Sequence, residues 1–404
     1  MASSSDPSSE FARALYEDAS LTVHFRSYYL GRVVPDGPDM GAWANGGWIG
    51  YQSGWFGDAV RFGLVGYGSV PFWAPESRDG TLLLAEDQKG YAVLGQAYLA
   101  LKLWDQVITG YRQLVDLPEV NPQDNRMTPN TFEGVSIAGE VSVFDYYGGF
   151  LWAMKRRNEV KFRDLAEIAG ATAVQRSMWL AGIGVTPIDD LKLRVSSFIV
   201  PDVLWSSYAD FVWLTPLAEN VKLRLGGQFM YQQSVGSDLI TGASFDTWAA
   251  GAKADVIVGP VTLTAAYTKI GDDAQYRSPY GTWPGYTSMI VTDFNRAREQ
   301  AFLVGGNLDF AFLGLTGLSF TGYAVFGNRA IDPLTRASLS DKNEYDLTLD
   351  YRFSAAYWPE VARPLWIRAR ATYIDETLGG DTRTTKDYRV IVNYEWVFKK
   401  SAPK

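Results

Sequence analysis

Residues 345–353 read YDLTLDYRF, and the alternation in this stretch decides the fold class. Every second side chain from Tyr345 to Phe353 is apolar, and the four side chains between them are Asp, Thr, Asp and Arg. Successive side chains of a β-strand point to opposite faces of a sheet. The stretch therefore predicts a strand with one apolar face and one polar face.

The same alternation recurs along the chain. It is clearest in the segments 21–30, 191–199, 221–231, 365–373 and 387–398. The predicted strands have about 9–14 residues, whereas strands of globular proteins usually have ~5–6 and tilted membrane strands need ~9–11. Aromatic residues cluster at the ends of the apolar faces, as they do at the two interfaces of membrane barrels. A soluble β-sandwich shows the same alternation and stays open, but strand length and aromatic position favour a membrane barrel.

The connections between the strands also favour a barrel. About eighteen strands fit the sequence, an even number, as single-chain bacterial barrels require. Short connections, such as Gly57, 104–106 and 258–260, alternate with long ones. The long connections are 32–40, 69–88, 114–133, 158–172, 271–297, 328–342 and 375–385. The predicted fold is therefore all-β: a transmembrane antiparallel β-barrel of about 18 strands, with inward-folded loops that constrict the lumen.

Residues 15–398 are predicted to form this barrel as a single domain. Residues 1–14 begin with MASSSDPSSE, which is small, polar and unpatterned, so we expect a disordered segment or a remnant of cloning. Residues 399–404 are expected to be a C-terminal tail. No basic region followed by an apolar stretch opens the chain, so we expect a signal peptide to be absent from this sequence.

Composition excludes several classes of function. The chain has 404 residues, no Cys, one His and a net charge of −8. Without Cys and with a single His, thiolate and His-cluster metal sites are excluded, and neither a metal nor a cofactor is predicted. The acidic balance argues against nucleic-acid binding, which needs a basic surface. No apolar run reaches the ~18 residues of a membrane helix.

No catalytic residues are predicted, and the protein is not expected to be an enzyme. His24 is the only imidazole on which a hydrolase site could rely. An outer-membrane barrel hydrolase that uses His24 remains the alternative function. A soluble all-β binding protein is the third possibility.

The polar face of each strand would line a water-filled lumen, where its charges can act on solutes. The alternation places basic side chains of several strands on that face. The predicted ladder along the solute pathway consists of Arg26, Lys102, Arg352, Arg368, Arg370 and Arg389. Guanidinium groups bind carboxylates in a fork geometry, so such a row would guide anionic solutes. Alternatively, these cations only neutralise lumen carboxylates, namely Glu344, Asp346, Asp350, Asp387 and Glu395.

Two long connections are candidates for constricting the lumen. The connection 114–133 is rich in Pro and Asn, and if it folds inward, Arg126, Asn130 and Thr131 would present hydrogen-bond donors there. The connection 271–297 is rich in Tyr, Gly and Pro and could supply a carboxylate and hydroxyl groups opposite the arginines. Both connections could instead be ordinary surface loops.

Four stretches of the sequence resemble the OprD-like (Occ) family of substrate-selective outer-membrane porins. They are LYEDASLTVHFRSYYLGR (15–32), NPQDNRMTPNTFEGVSIAGE (121–140), VTDFNRAREQAF (291–302), and PLWIRARATY with KDYRVIVNYEW in 364–396. The resemblance implies a passive channel in the outer membrane of a Gram-negative bacterium, which takes up small carboxylate-bearing solutes. It also implies an eighteen-stranded monomer. Its expected partners are small anionic or zwitterionic solutes, outer-membrane lipid and lipopolysaccharide, and no nucleic acid.

The resemblance also assigns individual residues. The basic wall of the family corresponds to Arg26, Arg368, Arg370 and Arg389, and the facing side of the constriction to Ser288 and Asp293. Aromatic acids are favoured as cargo over basic amino acids, because the alternation places more Arg and Lys in the lumen than a cation pathway would need. Other amino acids stay open.

Overall fold

The computed structural model describes residues 7–172 and 174–399 of the chain. Its strands are β1 (Ser20–Val33), β2 (Met40–Gln52), β3 (Val60–Trp73), β4 (Tyr91–Leu103), β5 (Gln106–Gln113), β6 (Thr131–Val141), β7 (Phe144–Lys155), β8 (Arg163–Asp164), β9 (Met178–Ile188), β10 (Leu191–Val200), β11 (Leu204–Ala218), β12 (Val221–Gln233), β13 (Asp246–Val258), β14 (Val261–Ile270), β15 (Gln300–Asp309), β16 (Leu318–Asn328), β17 (Asp341–Arg352), β18 (Leu365–Leu378) and β19 (Asp381–Lys399). The α-helices are α1 (Pro7–Ala12) and α2 (Leu165–Ala169), and Arg13–Glu17 form a π-helical turn. Within the described residues, no helix is long and apolar enough to cross a membrane.

Eighteen of these strands form a closed antiparallel barrel. Strands adjacent in sequence pair with each other, and β1 closes the ring by pairing with β19, where Tyr28 lies opposite Ile391. The two-residue strand β8 pairs with the end of β7, while β7 and β9 pair directly around it. The prediction of an all-β barrel of about eighteen strands is confirmed.

The barrel turns its apolar face outward. In β17, Leu347 and Leu349 are 47% and 46% exposed on the outside, whereas Glu344 and Asp346 are 0% and 5% exposed on the inside. In water, each Å² of apolar surface left exposed forgoes ~25 cal/mol of stabilisation. A hydrocarbon environment outside the barrel removes that cost. This explains why the apolar side chains of each strand face outward and the polar ones face the lumen.

Long loops lie at the rim towards which β1 runs. Three of them matter for the lumen: L3 (114–130), L4 (156–177) and L7 (271–299), which follow β5, β7 and β14. The long connection predicted at 375–385 is wrong, because β18 runs to Leu378 and β19 begins at Asp381. Gly379 and Gly380 alone form the turn, with φ of 64° and 96°. Two-residue hairpin turns need such positive φ values, and glycine adopts them without steric cost.

Part of the N-terminal segment predicted to be disordered is helical. Tertiary contacts order it: the amide of Gly54 donates to the carbonyl of Ala14 at 2.7 Å, and the hydroxyl of Tyr51 donates to the carbonyl of Leu15 at 2.7 Å. Residues 1–6 of the predicted segment lie outside the described residues, as do residues 400–404 of the predicted tail. At the other end, β19 includes Lys399.

Candidate functional site in the barrel lumen

L3 folds into the barrel, as the sequence predicted for this connection. Arg26 points inward from β1, and its guanidinium donates to the two carboxylate oxygens of Asp124 in L3, at 2.7 and 3.2 Å. The same guanidinium donates to the carbonyl of Arg126. A lumen-facing side chain reaches these atoms only because L3 lies inside the wall. The buried Met127, 0% exposed, completes the contact with β1 and β2.

L7 also enters the lumen and binds L3. The side chain of Asn121 in L3 accepts from the amide of Thr282 at 2.9 Å and donates to its carbonyl at 3.3 Å. Deeper in the same contact, Oε1 of Glu119 accepts from the hydroxyls of Ser206 in β11 and Tyr276 in L7, at 2.7 and 2.5 Å. Burial raises the pKa of Glu119 to about 7, and these hydroxyl donors oppose that rise. The two loops therefore form one connected structure inside the barrel.

A cavity of about 380 Å³ lies between these loops and the wall formed by β16, β17, β18 and β19. We call it the inner cavity. Its lining includes Asn125 of L3, Ser288, Met289 and Ile290 of L7, and the guanidinium-bearing Arg368, Arg370 and Arg389. In the pairing of β18 with β19, Arg370 lies opposite Arg389. Three of the predicted ladder residues are thus brought together with one predicted hydroxyl, that of Ser288.

The three arginines of the inner cavity differ in their ion pairs. Arg368 donates to both carboxylate oxygens of Asp350, at 2.7 and 2.9 Å. Arg389 pairs with Asp387 and is only 2% exposed. Arg370 has no carboxylate partner within 4.0 Å among the described residues, and its buried Nε has no hydrogen-bond partner there. Of these three arginines, Arg370 is therefore the one whose guanidinium is not occupied by a carboxylate among the described residues.

The basic wall continues beyond Arg368 through an aromatic ring. The guanidinium carbons of Arg352 and Arg368 each lie 4.4 Å from the ring centre of Trp366. The indole N–H of Trp366 donates to Asp350 at 2.9 Å, which fixes the ring between the two cations. Trp366 was not among the predicted site residues, although its position two residues before Arg368 places it on the same lumen face.

The family model described as outer membrane porin, OprD family, matches residues 13–398. The chain belongs to the OprD family. Solved structures with the same fold include Pseudomonas aeruginosa OpdK with vanillate (20% identity, TM-score 0.82, covering 95% of this chain and 100% of that one). They also include P. aeruginosa OccK9 (OpdG), with 20% identity, TM-score 0.85 and coverage of 95% and 100%. Acinetobacter baumannii OccAB3 has 17% identity, TM-score 0.85 and coverage of 94% and 100%. A search of curated proteins finds no match.

This membership identifies the molecule as a porin of the bacterial outer membrane, a channel for small solutes. It agrees with the outward apolar face and the loop-filled lumen. The predicted family resemblance is confirmed.

In this OprD-family porin, the donors predicted in L3 are placed differently. Asn130 and Thr131 are 1% and 0% exposed and do not line the inner cavity, so the prediction that they face solutes is corrected. The amide of Asn130 donates to the carbonyl of Pro122 at 2.7 Å, which folds this end of L3 onto itself where β6 begins.

Arg126 is buried and does not line the inner cavity. Its guanidinium donates to the carbonyls of Thr81 and Asn125, both at 2.8 Å. Burial, and the repulsion of Arg389 and Arg157, lower the pKa of Arg126 to about 9. Arg157 of L4 donates to the Asn125 side chain and was not predicted, because the sequence pattern does not show which L4 residue returns to the lumen.

Ser288 and Asp293 lie close together in L7, as the resemblance implied for one constriction. The Ser288 hydroxyl donates to Asp293 at 3.0 Å, and burial raises the pKa of Asp293. Ser288 lines the inner cavity, whereas Asp293 lines a second cavity of about 350 Å³. We call this second one the outer cavity; Arg32, Met40, Thr292 and Lys342 also line it.

Two predicted ladder residues are separated from the arginines of the inner cavity. Arg26 is 7% exposed and holds L3, so its donors are occupied and it is not a free rung. Lys102 lies at the opposite rim of β4 and lines another cavity, of about 820 Å³, with Asp105 and Asp116. The alternation predicts whether a side chain faces the lumen or the lipid. It does not predict how far along the barrel axis that side chain lies or which residues surround it.

On the opposite wall, lumen cations are paired with carboxylates. Arg194 binds both oxygens of Asp210, and Arg224 lies 3.4 Å from Asp255. The neutralising interpretation thus describes that wall, while Arg370 departs from it.

His24 is held by its neighbours. Its Nδ1 lies 2.9 Å from Glu395, its Nε2 lies 3.3 Å from Asn393, and its ring stacks on Trp48 with centroids 3.8 Å apart. No serine hydroxyl is hydrogen-bonded to it among the described residues, so the geometry does not favour a hydrolase site.

Proposed function

We propose that this porin is a passive channel selective for small carboxylate-bearing solutes, which move along the basic wall formed by β18, β19 and their neighbours. The proposed cargo is an aromatic acid, with amino acids as a second class. The protein would act as a monomer without a cofactor or metal, with its apolar outer face in contact with outer-membrane lipid and lipopolysaccharide.

The observation that carries this proposal is the state of Arg370. A guanidinium that lines a lumen cavity and lacks a carboxylate partner offers its N–H donors to a passing anion. The neighbouring Arg368 is neutralised by its ion pair with Asp350, so the wall as a whole does not bind an anionic solute too tightly to release it. A channel needs such a balance, because the solute must both enter and leave.

The stacked side chains favour a flat, aromatic solute. Arg352 and Arg368 each lie 4.4 Å from the ring centre of Trp366, so guanidinium groups of this wall already pack against a planar aromatic ring, and aromatic rings and cations attract each other. OpdK, which shares this fold, was crystallised with vanillate, an aromatic carboxylate. A benzoate-type solute would present its carboxylate to Arg370 and its ring to the guanidinium groups of the same wall.

The test replaces Arg370 with Gln and measures reversal potentials in planar bilayers under a salt gradient, together with benzoate uptake into liposomes. Even at the dielectric constant of water, two unit charges 4 Å apart interact by ~1 kcal/mol, so we expect anion preference and benzoate flux to fall by about fivefold. Arg224→Gln is the matched control, because it removes a lumen guanidinium from the opposite wall and leaves Asp255 near Lys253. Equal selectivity in the native protein and Arg370→Gln would refute the proposal.

A further inference from the structure

A short peptide of L7, Ile290–Thr292, lies between the two lumen cavities. Ile290 lines the inner cavity and Thr292 lines the outer cavity. This peptide is fastened to the wall by two carboxylates of β17. Oε1 and Oε2 of Glu344 accept from the successive amides of Val291 and Thr292, at 2.9 and 2.7 Å. Oδ2 of Asp346 accepts from the amide of Ile290 at 3.0 Å.

The peptide is also held from β19. Arg389 donates to the carbonyl of Ile290 at 3.3 Å, so both polar groups of that peptide residue are bound. Within L7, the amide of Met289 donates to the carbonyl of Thr292 at 2.9 Å, which closes the segment into a compact turn. The residues that hold it, Glu344, Asp346 and Arg389, are 0%, 5% and 2% exposed.

Glu344 and Asp346 are lumen-facing carboxylates that form no ion pair within 4.0 Å among the described residues. Such groups are costly to bury unless their oxygens are hydrogen-bonded. Three consecutive backbone amides of L7 donate to their oxygens and so supply these hydrogen bonds. The two side chains therefore act on the loop, rather than on the arginines of the wall.

We propose that Glu344 and Asp346 are positioning residues that hold L7 across the lumen and thereby set the width and selectivity of the constriction. We call Glu344 and Asp346, with the L7 amides that they bind, the clamp. The inference rests on the proposed function in one respect: the selectivity that the clamp maintains is the preference for carboxylates. Its effect on the position of L7 is independent of that preference.

The hydrogen bonds predict different outcomes for two conservative substitutions. The two backbone partners of Glu344 are both N–H donors, so Glu344→Gln places an amide NH₂ against one of these amides. Asp346 has one N–H partner and one hydroxyl partner, Thr372, at 2.6 Å. A hydroxyl can accept as well as donate, so Asp346→Asn keeps both contacts if the Asn NH₂ donates to Thr372. We expect Glu344→Gln to release L7 and Asp346→Asn to leave it in place.

The experiment uses the absence of Cys, which allows a single reporter thiol. Met289→Cys, in L7 beside the clamp, is combined with Glu344→Gln, with Asp346→Asn, or with Glu376→Gln. Glu376 is the control, because it lines the outer cavity and pairs with Lys342 at 2.6 Å. Thiol modification by a methanethiosulfonate reagent and single-channel conductance are measured in reconstituted protein. We expect modification about tenfold faster with Glu344→Gln, since leaving a buried amide without its acceptor changes a local equilibrium by about that factor, together with a larger conductance.

Thr292→Pro provides a second route, because it removes one donor from L7 without altering the barrel wall. It should act in the same direction as Glu344→Gln, and it covers the case in which Glu344→Gln fails to fold. Faster modification with unchanged anion selectivity would support the clamp and count against carboxylate selection. Modification rates and conductances equal to those of the Glu376→Gln control, in both Glu344→Gln and Thr292→Pro, would overturn the clamp.

Discussion

Replacing Glu119 with Gln tests what holds L3 against L7. Glu119 is 5% exposed, Oε1 accepts two hydroxyl donors, and its buried Oε2 has no hydrogen-bond partner among the described residues. A Gln side chain keeps an acceptor for Ser206 and Tyr276 and cannot ionise. The substitution therefore removes the pH dependence of this contact while keeping its shape.

The size of the effect follows from the pKa of Glu119, which burial raises from 4.5 to about 7. Below pH 4.5, the folded and unfolded states are both protonated and the carboxyl costs nothing. As the pH rises towards 7, the unfolded state ionises first, so the folded barrel loses stability. Above pH 7 the cost stays constant, at about 3 kcal/mol. Between pH 5 and pH 8 the native protein should lose about 2–3 kcal/mol that Glu119→Gln does not lose.

The measurement is urea unfolding of the barrel in lipid vesicles at pH 5, 6, 7 and 8, followed by Trp fluorescence. In the Gln variant, the unpaired NH₂ lowers the free energy of unfolding by about 1–3 kcal/mol at every pH. The variant should therefore be less stable than the native protein at pH 5, and the difference should shrink as the pH rises. Glu86→Gln, at an exposed position in another loop of the same rim, is the control. Parallel pH profiles for the native protein and Glu119→Gln would show that this carboxyl is not held neutral by its surroundings.

Two further predictions concern the barrel wall. Leu347→Arg places a charge on the outer face, where Leu347 is 47% exposed, and should lower the stability of the barrel by ~2–4 kcal/mol near the membrane midplane. Loss of heat-modifiable gel mobility would report failed assembly of the barrel. Normal mobility would contradict a lipid-facing position of Leu347. Gly380→Val forces a β-branched residue to φ 96° in the β18–β19 turn and should cost ~1–2 kcal/mol in urea unfolding, whereas Gly379→Asn, at φ 64°, should cost less because Asn tolerates that region. Equal losses in the two turn variants would argue against this backbone explanation.

The strands were predictable where water and lipid lie on opposite sides of the wall. There the pattern must alternate, as in 345–353, and β17 covers most of that stretch. Beyond the membrane both faces meet water, so the pattern fades although the strand continues. This is why 375–385 was mistaken for a long loop: Asp375, Glu376 and Thr377 are polar in succession, yet β18 runs through them.

The candidate site was predictable only to the level of the face on which a residue lies. Alternation places Arg368 and Arg370 in the lumen, but it does not show that Arg368 pairs with Asp350 while Arg370 has no carboxylate partner in the described part of the chain. That difference depends on the register of β17 against β18, where Arg368 lies opposite Asp350. Loop residues lack even this rule, which explains why Asn130 was predicted to face solutes and Asn125 was not.

The net charge of −8 does not determine what a solute meets in the lumen. Two lumen carboxylates, Glu344 and Asp346, use their oxygens to bind the amides of L7. A third, Asp387, binds both Arg32 and Arg389. Because these acceptors are occupied, none of them takes up the N–H donors of Arg370. An acidic chain can therefore keep a guanidinium available in its inner cavity, and it is the allocation of hydrogen bonds, rather than the sum of charges, that makes a basic pathway possible there.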